Sequence, residues 1–449
     1  MKKRMKQIVC LALAALMALS LVSCGSSSST ATSGSKATAA STSTASTGEQ
    51  VTIKLLTKWP QDENQVYWKQ VVAAFEAANP DIKIEEEDVA DEPIKDKLRV
   101  MMGSDDRPDI FFTWAGEFAR KFVKAGAAYD LTDAMTANNN EWGSTLMTAG
   151  TEPFTTDGHV YGCPIDIDAK FFVYNKDIFT KLNLQVPTTY EEFLTVCQKI
   201  KDSGVTPLAF GDQYPWAACH YITGLNQKLV AQDVRAKDYD KATGEFTDKG
   251  YVEALNKFKE LNDKGYFNEY PNSLSHDMAL ESFYSGTCAM DYVELVEFKT
   301  INDKMGDGNW GFFAMPDFST QSGNKNMLTG APDGFMVSST TKYPEQCIRF
   351  LKFFSSVEMG QLMEKTLGWP SPVIGATTSD VAADYLIDGM KAVQDADGMA
   401  IWLDTDIDSR ISDVYLPGLQ DLLNGDVTAE QLMTKVQEAA KTVREDSAS

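Results

Sequence analysis

The sequence predicts an α/β protein arranged in two lobes. Strand-like and helix-like segments alternate from Val51 onward, which indicates parallel sheet flanked by helices. The 449 residues exceed one ordinary domain, yet no low-complexity linker interrupts the chain after residue 50.

Val51, Ile53 and Leu55 alternate as a strand, and Asp62 with Gln65 forms a capping-box pattern that opens a helix. Trp68, Val71, Val72, Phe75 and Ala78 fall on one face of that helix, which Asn79-Pro80 stops. Ile82 and Ile84 begin a second strand. A helix with Ile94, Leu98, Met101 and Met102 inward ends at Gly103, and an apolar strand spans 110–112. A helix bearing Phe118 and Phe122 then ends at Gly126. Further on, 170–174 reads as a strand, Thr189 and Glu192 cap a helix, and 207–210 is the strand that follows. Residues 345–354 form a helix with Cys347, Phe350, Leu351 and Phe354 on one side. Thr428 and Gln431 cap the last helix, whose inner face carries Leu432, Val436 and Val443.

The chain is 43% hydrophobic, enough for a sizeable core. Its 41 basic and 64 acidic residues give a net charge of −23. That balance argues against nucleic acid, whose phosphates need Lys and Arg. Lys2, Lys3, Arg4 and Lys6 precede an apolar run over residues 8–22, too short to span a bilayer and typical of a secretion signal. Leu21-Val22-Ser23-Cys24-Gly25 resembles a bacterial lipobox, which implies cleavage before Cys24 and a diacylglycerol on its sulfur. Without those four cations the mature charge is about −27. Such a surface repels anionic lipid, so the membrane contact is expected through the lipid only. Residues 25–48 are Gly, Ser, Thr or Ala apart from Lys36, a flexible tether. Segments 1–23 and 24–50 are therefore a signal peptide and a lipidated tether. Cys163, Cys197, Cys219, Cys288 and Cys347 show no C-x-x-C spacing, and Cys197 and Cys347 fall on apolar helix faces, so core thiols are expected.

Enzymatic motifs are weak. His159, His220 and His276 lie far apart and match no metal-ligand spacing, and neither a G-x-S-x-G elbow nor a phosphate-binding loop occurs. Gly306, Gly308 and Gly311 match G-x-G-x-x-G but follow no clear strand. Asp404, Asp406 and Asp408 start like an EF-hand, yet Ser409 and Tyr415 stand where Gly and Glu are needed. No metal, cofactor or catalytic residue is expected.

Seven fragments, in order, resemble the family 1 extracellular solute-binding proteins of ABC importers, the group that includes maltose-binding protein. Phe75-Glu76-Ala77-Ala78-Asn79-Pro80-Asp81-Ile82 resembles the first helix–strand junction of that family, and Pro108-Asp109-Ile110-Phe111-Phe112 with Asp130-Leu131-Thr132-Asp133 its next unit. Asp157-Gly158, Tyr161-Gly162-Cys163-Pro164 and Tyr174-Asn175-Lys176-Asp177-Ile178-Phe179 lead into Pro187-Thr188-Thr189-Tyr190 as the family pattern does. Phe283 with Gly286, Ala289 and Met290, then Phe350-Leu351-Lys352 and Leu423-Asn424-Gly425, continue it. The resemblance spans 51–445. It implies a type II periplasmic-binding-protein-like fold, hinged lobes with a ligand cleft between them. By that analogy lobe one takes 51–168 plus 316–362, and lobe two 169–315 plus 363–449.

The resemblance further implies a monomer on the outer face of the cell membrane that captures a carbohydrate, an oligosaccharide above all, for an ABC permease. Sugars present apolar C–H faces to aromatic rings and hydroxyls to charged side chains. Open α/β sheets bind ligands beyond the carboxyl ends of strands, which selects Trp59, Trp114 and Glu117. Trp216 resembles the loop tryptophan of the family. Asp166 and Asp168 fall at the first crossing between lobes, Asp291 and Tyr292 at another expected strand end, and Asp333 in a loop. Trp369 and Trp402 are expected to line the cleft, and Arg410 to clamp a hydroxyl or carboxylate. Trp68, Trp142 and Trp310 are assigned to packing. Two alternatives stand beside this reading: a secreted glycan-degrading lipoprotein, and the same fold holding a polyamine, peptide or glycerol phosphate.

Overall fold

Residues 50–448, apart from 105, 106 and 321, are described by the computed structural model. The signal segment, Cys24 and the tether lie outside the described residues.

The first strand, β1 (Val51–Thr57), is followed by helix Asp62–Ala78, β2 (Ile82–Asp88), helix Asp91–Met102, β3 (Ile110–Trp114) and helix Glu117–Lys124. A short hairpin, β4 (Thr155–Thr156) and β5 (His159–Val160), precedes β6 (Gly162–Pro164). Then come β7 (Lys170–Asn175), β8 (Thr206–Ala209), β9 (Cys288–Glu294), β10 (Trp310–Phe313), β11 (Met327–Thr329), β12 (Asp333–Val337) and β13 (Gly398–Ala400). One sheet runs β2-β1-β3-β12-β6 and a second β10-β7-β9-β8, while β11 and β13 form a separate ladder. The molecule has the two-lobed α/β architecture.

The parallel-sheet expectation holds only for part of each sheet. Strands β1, β2 and β3 are parallel, but β12 runs antiparallel to β3 and β6. In the second sheet only β8 and β9 are parallel. The reason is the chain path. Strand β12 enters the first sheet from the second rather than from a helix of its own, and so arrives in the opposite direction.

Local signals account for the elements that were read from the sequence. The Thr189–Glu192 and Thr428–Gln431 capping boxes are both formed. Asp62 departs from its expected role. It is the first helical residue rather than the cap, so its carboxylate only complements the helix dipole, and Gln65 Nε2 instead donates to Trp59 O at 3.0 Å. Trp68, Val71 and Phe75 are buried as their spacing predicts. Trp142 and Trp310 are buried too. The five described cysteines are buried and unpaired; burial pushes the Cys163, Cys288 and Cys347 thiols up to about 12. Such thiols behave as inert apolar groups.

One core gathers Ile53, Trp68, Phe112, Phe335, Phe350 and also Met363, Trp369 and Ala376 beneath the first sheet. Two others flank the second sheet, one around Phe172, Phe210, Phe258 and Tyr415, the other around Phe171, Phe283, Phe298 and Leu386. The segments passing between them are bonded to one another. Ile165 N donates to Asp333 O (2.7 Å), Ile167 N to Pro370 O (3.0 Å) and Gly330 N to Ala400 O (2.9 Å). Gly330 is required there, because a Cβ would stand 2.1 Å from Asp168 O.

Candidate functional site

Where β1 ends, Lys58 turns inward above aromatic rings. Its Nζ lies 4.8 Å from the Phe112 centroid, 5.2 Å from Trp114 and 5.5 Å from Trp59. It bonds Asp333 at 2.9 Å and sits 3.5 Å from Asp91. Asp333 opens β12 directly opposite Trp114, the last residue of β3. Burial works to lower the Lys58 pKa, but Asp333 and Asp91 outweigh it, raise the pKa and hold the charge. Lys95, on the helix Asp91–Met102, stands 5.6 Å from the Trp114 ring as well.

Opposite lies helix Trp216–Leu229. Trp216, its first residue, is half-buried, with the His276 ring at 5.0 Å, the His220 ring at 5.2 Å and Lys170 Nζ at 5.6 Å. His220 also stacks on Trp402, centroids 4.0 Å apart. His220 Nδ1 is 3.4 Å from Glu294, whose carboxylate also sits 3.9 Å from Lys170. Burial, reinforced by Lys170, pushes the His220 pKa well down and keeps it neutral. His276 is the reverse. Its 2.5 Å bond to Glu297 overrides burial, raising the imidazole and holding Glu297 at about 2 against the same burial.

Two carboxylates join these groups at the first crossing. Asp166 accepts the Asp333 amide at 2.9 Å; Asp168 accepts those of Ala169 (2.9 Å) and Val296 (3.4 Å). Burial raises both well above the usual range, with Asp333 adding for Asp166 and Glu294 for Asp168. Lys58, Asp333, His276, Glu297 and Glu294 each keep 15–21% of their side-chain surface open. Water therefore reaches deep charged groups that an ordinary core would exclude.

The structure brings most of the expected site residues together, in different ways. Trp59 is 8% exposed, stacked on Trp68 and 5.0 Å from Trp369. Trp114, Asp333 and Asp166 cluster around Lys58, while Trp216 and Trp402 share His220. Asp291 is buried, its Oδ2 without a partner, and burial raises it to about 7. Tyr292 points into the core against Phe172, centroids 4.5 Å apart. Glu117 is bound by Arg120 at 2.9 Å and by Lys124. Arg410 is exposed and paired to Asp408 (2.9 Å) and Asp446 (2.7 Å). The EF-hand-like trio diverges: Asp404 accepts from Cys219, Asp406 pairs with Arg120, and Asp408 caps helix Ser409–Asn424.

Sequence reasoning passed over Lys58, Lys95, Lys170, His220, His276, Glu294 and Glu297. A weak signal exists for Lys58 and Lys170, which sit at strand ends, and for His220, one turn after Trp216. Chemically the arrangement supplies flat rings, fixed charges and water-accessible donors and acceptors, which suits hydrogen bonding to a polar guest. Among the described residues no group of three or more His, Cys, Asp or Glu is placed to hold a metal ion.

Comparison with known proteins gives the family. The model of the bacterial extracellular solute-binding proteins matches residues 59–361. A multiple sugar-binding protein of Streptococcus mutans is 24% identical over 336 residues, covering 74% of this chain and 77% of the relative. An uncharacterized ABC transporter extracellular-binding protein of Pyrococcus horikoshii is 26% identical over 340 residues, 72% of this chain and 74% of the relative. Among solved structures, a chitin oligosaccharide binding protein superposes with a TM-score of 0.81 at 23% identity, over 89% of this chain and all of the other. A sugar transporter from Bacillus licheniformis in complex with stachyose gives 0.71 at 20%, over 88% and 100%. Two lobes over essentially the whole described chain, with a family match across two thirds of it, leave one assignment: the chain belongs to the bacterial extracellular solute-binding proteins, which act outside the cytoplasm as binders rather than enzymes.

Proposed function

We propose that this protein captures an oligosaccharide between its lobes and delivers it to the permease of an ABC importer, held at the outer membrane face by a lipid on Cys24. The observation that carries the reading is the set of partly open charged groups, Lys58–Asp333, Glu294 and His276–Glu297, beside the half-buried Trp216 and the buried Trp114, Trp402 and Asp166. Pyranose rings present an apolar face to such indoles and hydroxyls to such charges. The names of the relatives, multiple sugar-binding and chitin oligosaccharide binding, support the same class.

In this reading Trp114, Trp216, Trp402, Asp166, Asp168 and Asp333 contact the ligand, joined by Lys58, Lys95, Lys170, His220, His276 and Glu294. Arg410, satisfied by two carboxylates, is left out. Lobe one takes 51–168 and 331–376, because Phe318 and Leu328 pack in the cores of the second sheet while Ala331, Met363, Trp369 and Ala376 share the core of Phe112. The remainder is lobe two. A guest touching both lobes only when they close favours the closed state. Shifting open:closed from 99:1 to 1:99 takes about 5.5 kcal/mol of differential contact. A few charge-assisted hydrogen bonds at about 1.5–3 kcal/mol each are of that order.

Calorimetry against an oligosaccharide panel tests this, with spermidine and glycerol phosphate as controls. Saturable heat with at least one neutral oligosaccharide is expected, none with the controls, and no product after long incubation. Trp216→Ala should weaken binding by more than tenfold, the worth of about 1.4 kcal/mol or more of stacking. Unaltered affinity in that variant would remove Trp216 as the platform; heat only with spermidine would overturn the carbohydrate class.

A further inference from the structure

We infer that Arg120 and Asp406 form a latch between the lobes, separate from the ligand groups, which sets how long the closed state lasts. The inference rests on the capture reading for its link to affinity, though not for the contact itself. Arg120 lies on helix Glu117–Lys124, directly after β3 of the first sheet. Asp406 ends the short helix Leu403–Asp406, anchored on the second lobe: Leu403 N donates to Thr223 Oγ1 at 2.9 Å and the Cys219 thiol to Asp404 Oδ1 at 3.6 Å. Arg120 Nη2 reaches Asp406 Oδ1 at 3.3 Å, while its Nε is held by Glu117 at 2.9 Å. One guanidinium thus braces its own helix and grips the other lobe.

The seat of the latch is built into the backbone. Gly116, just before the Arg120 helix, has φ +74°, which favours glycine, and its amide is tied to Pro153 O at 3.2 Å. A Cβ there would stand 2.8 Å from Thr405 O and 3.3 Å from both Asp406 Oδ1 and the Ile401 side chain. Two surfaces from opposite lobes therefore touch at backbone distance, with the ion pair at their rim. Beside it, Trp402 packs into the core of the first lobe while stacking on His220 of the second. The Arg120 and Asp406 side chains are 30% and 22% exposed, so water screens the pair only in part. Such a pair, made when the lobes meet and lost when they part, acts chiefly on the rate of opening.

The test uses the full chain with Arg120→Gln, Asp406→Asn and the double variant. Hydrogen exchange is read over residues 114–120 and 401–407, without ligand and with saturating oligosaccharide, and oligosaccharide affinity by calorimetry. Each single variant should speed exchange on both sides together and weaken binding about three- to tenfold through faster dissociation. The double variant should be no weaker than the worse single, the signature of coupled partners. Exchange unchanged, or altered on one side only, would overturn the latch even where wild type binds sugar. Exchange raised on both sides in a protein that binds no carbohydrate would keep the latch and discard the capture reading. Additive losses of affinity in the double variant would also count against it.

Discussion

Asp291 shows what one buried carboxyl costs. Its Oδ1 accepts the Tyr292 amide at 2.7 Å, its Oδ2 has no partner, and burial raises it to about 7 although His276 and Lys170 oppose the rise. The folded protein therefore holds a proton that the unfolded chain has already released between about pH 4 and 7, so stability falls as pH rises through that window. The upper bound of the loss is about 4 kcal/mol. Asp291→Asn should raise the melting temperature at pH 8 and leave it nearly unchanged at pH 4. An equal shift at both pH values would show that ionisation is not the cause. A group maintained at such cost belongs where functional groups concentrate, beside His276 and Glu297.

At the scale of elements, caps and crossings carry different loads. The Thr189 hydroxyl accepts the Glu192 amide at 3.2 Å, and Glu192 returns the bond to Thr189 N. Thr189→Ala should cost about 1 kcal/mol in denaturant unfolding and leave ligand affinity intact, because helix Tyr190–Asp202 packs away from the partly open charged groups. Gly330→Ala should behave in the opposite way. Its Cβ would collide with Asp168 O at the crossing where β11 hands over to β12, so the hinge itself must shift. A loss of about 1–3 kcal/mol is expected, together with altered affinity. If affinity stays at the wild-type value while stability drops, the crossing is only a strut and not the pivot.

For the molecule as a whole, closure is the event that the proposed capture turns on. Both lobes contribute to the partly open charged groups, and segments 165–169 and 329–333 join them by short backbone bonds. A ligand present at a hundred times its Kd should stabilise the fold by about 2.7 kcal/mol, and small-angle scattering should record a smaller radius of gyration. A stabilised protein of unchanged radius would mean binding without closure. The net charge of −23 disfavours contact with anionic surfaces.

Six helices, their faces and two of three expected capping boxes were legible in the sequence, because hydrophobic period and cap chemistry act between near neighbours; helices such as Lys249–Asp263 and Ser409–Asn424 were not read. The first three strands and the stop at Asn79-Pro80 were legible for the same reason, and ordered family fragments implied the two lobes. Three things were decided only by tertiary structure. Strand β12 reverses direction because it arrives from the other lobe. Asp62 loses its cap to the helix starting at that residue. Lys58 meets Asp333, His220 meets Trp402 and Arg120 meets Asp406 only after the chain has crossed between lobes. No local pattern encodes those meetings, since the energy of a buried ion pair or ring stack depends on which distant strand ends the fold brings within a few ångströms.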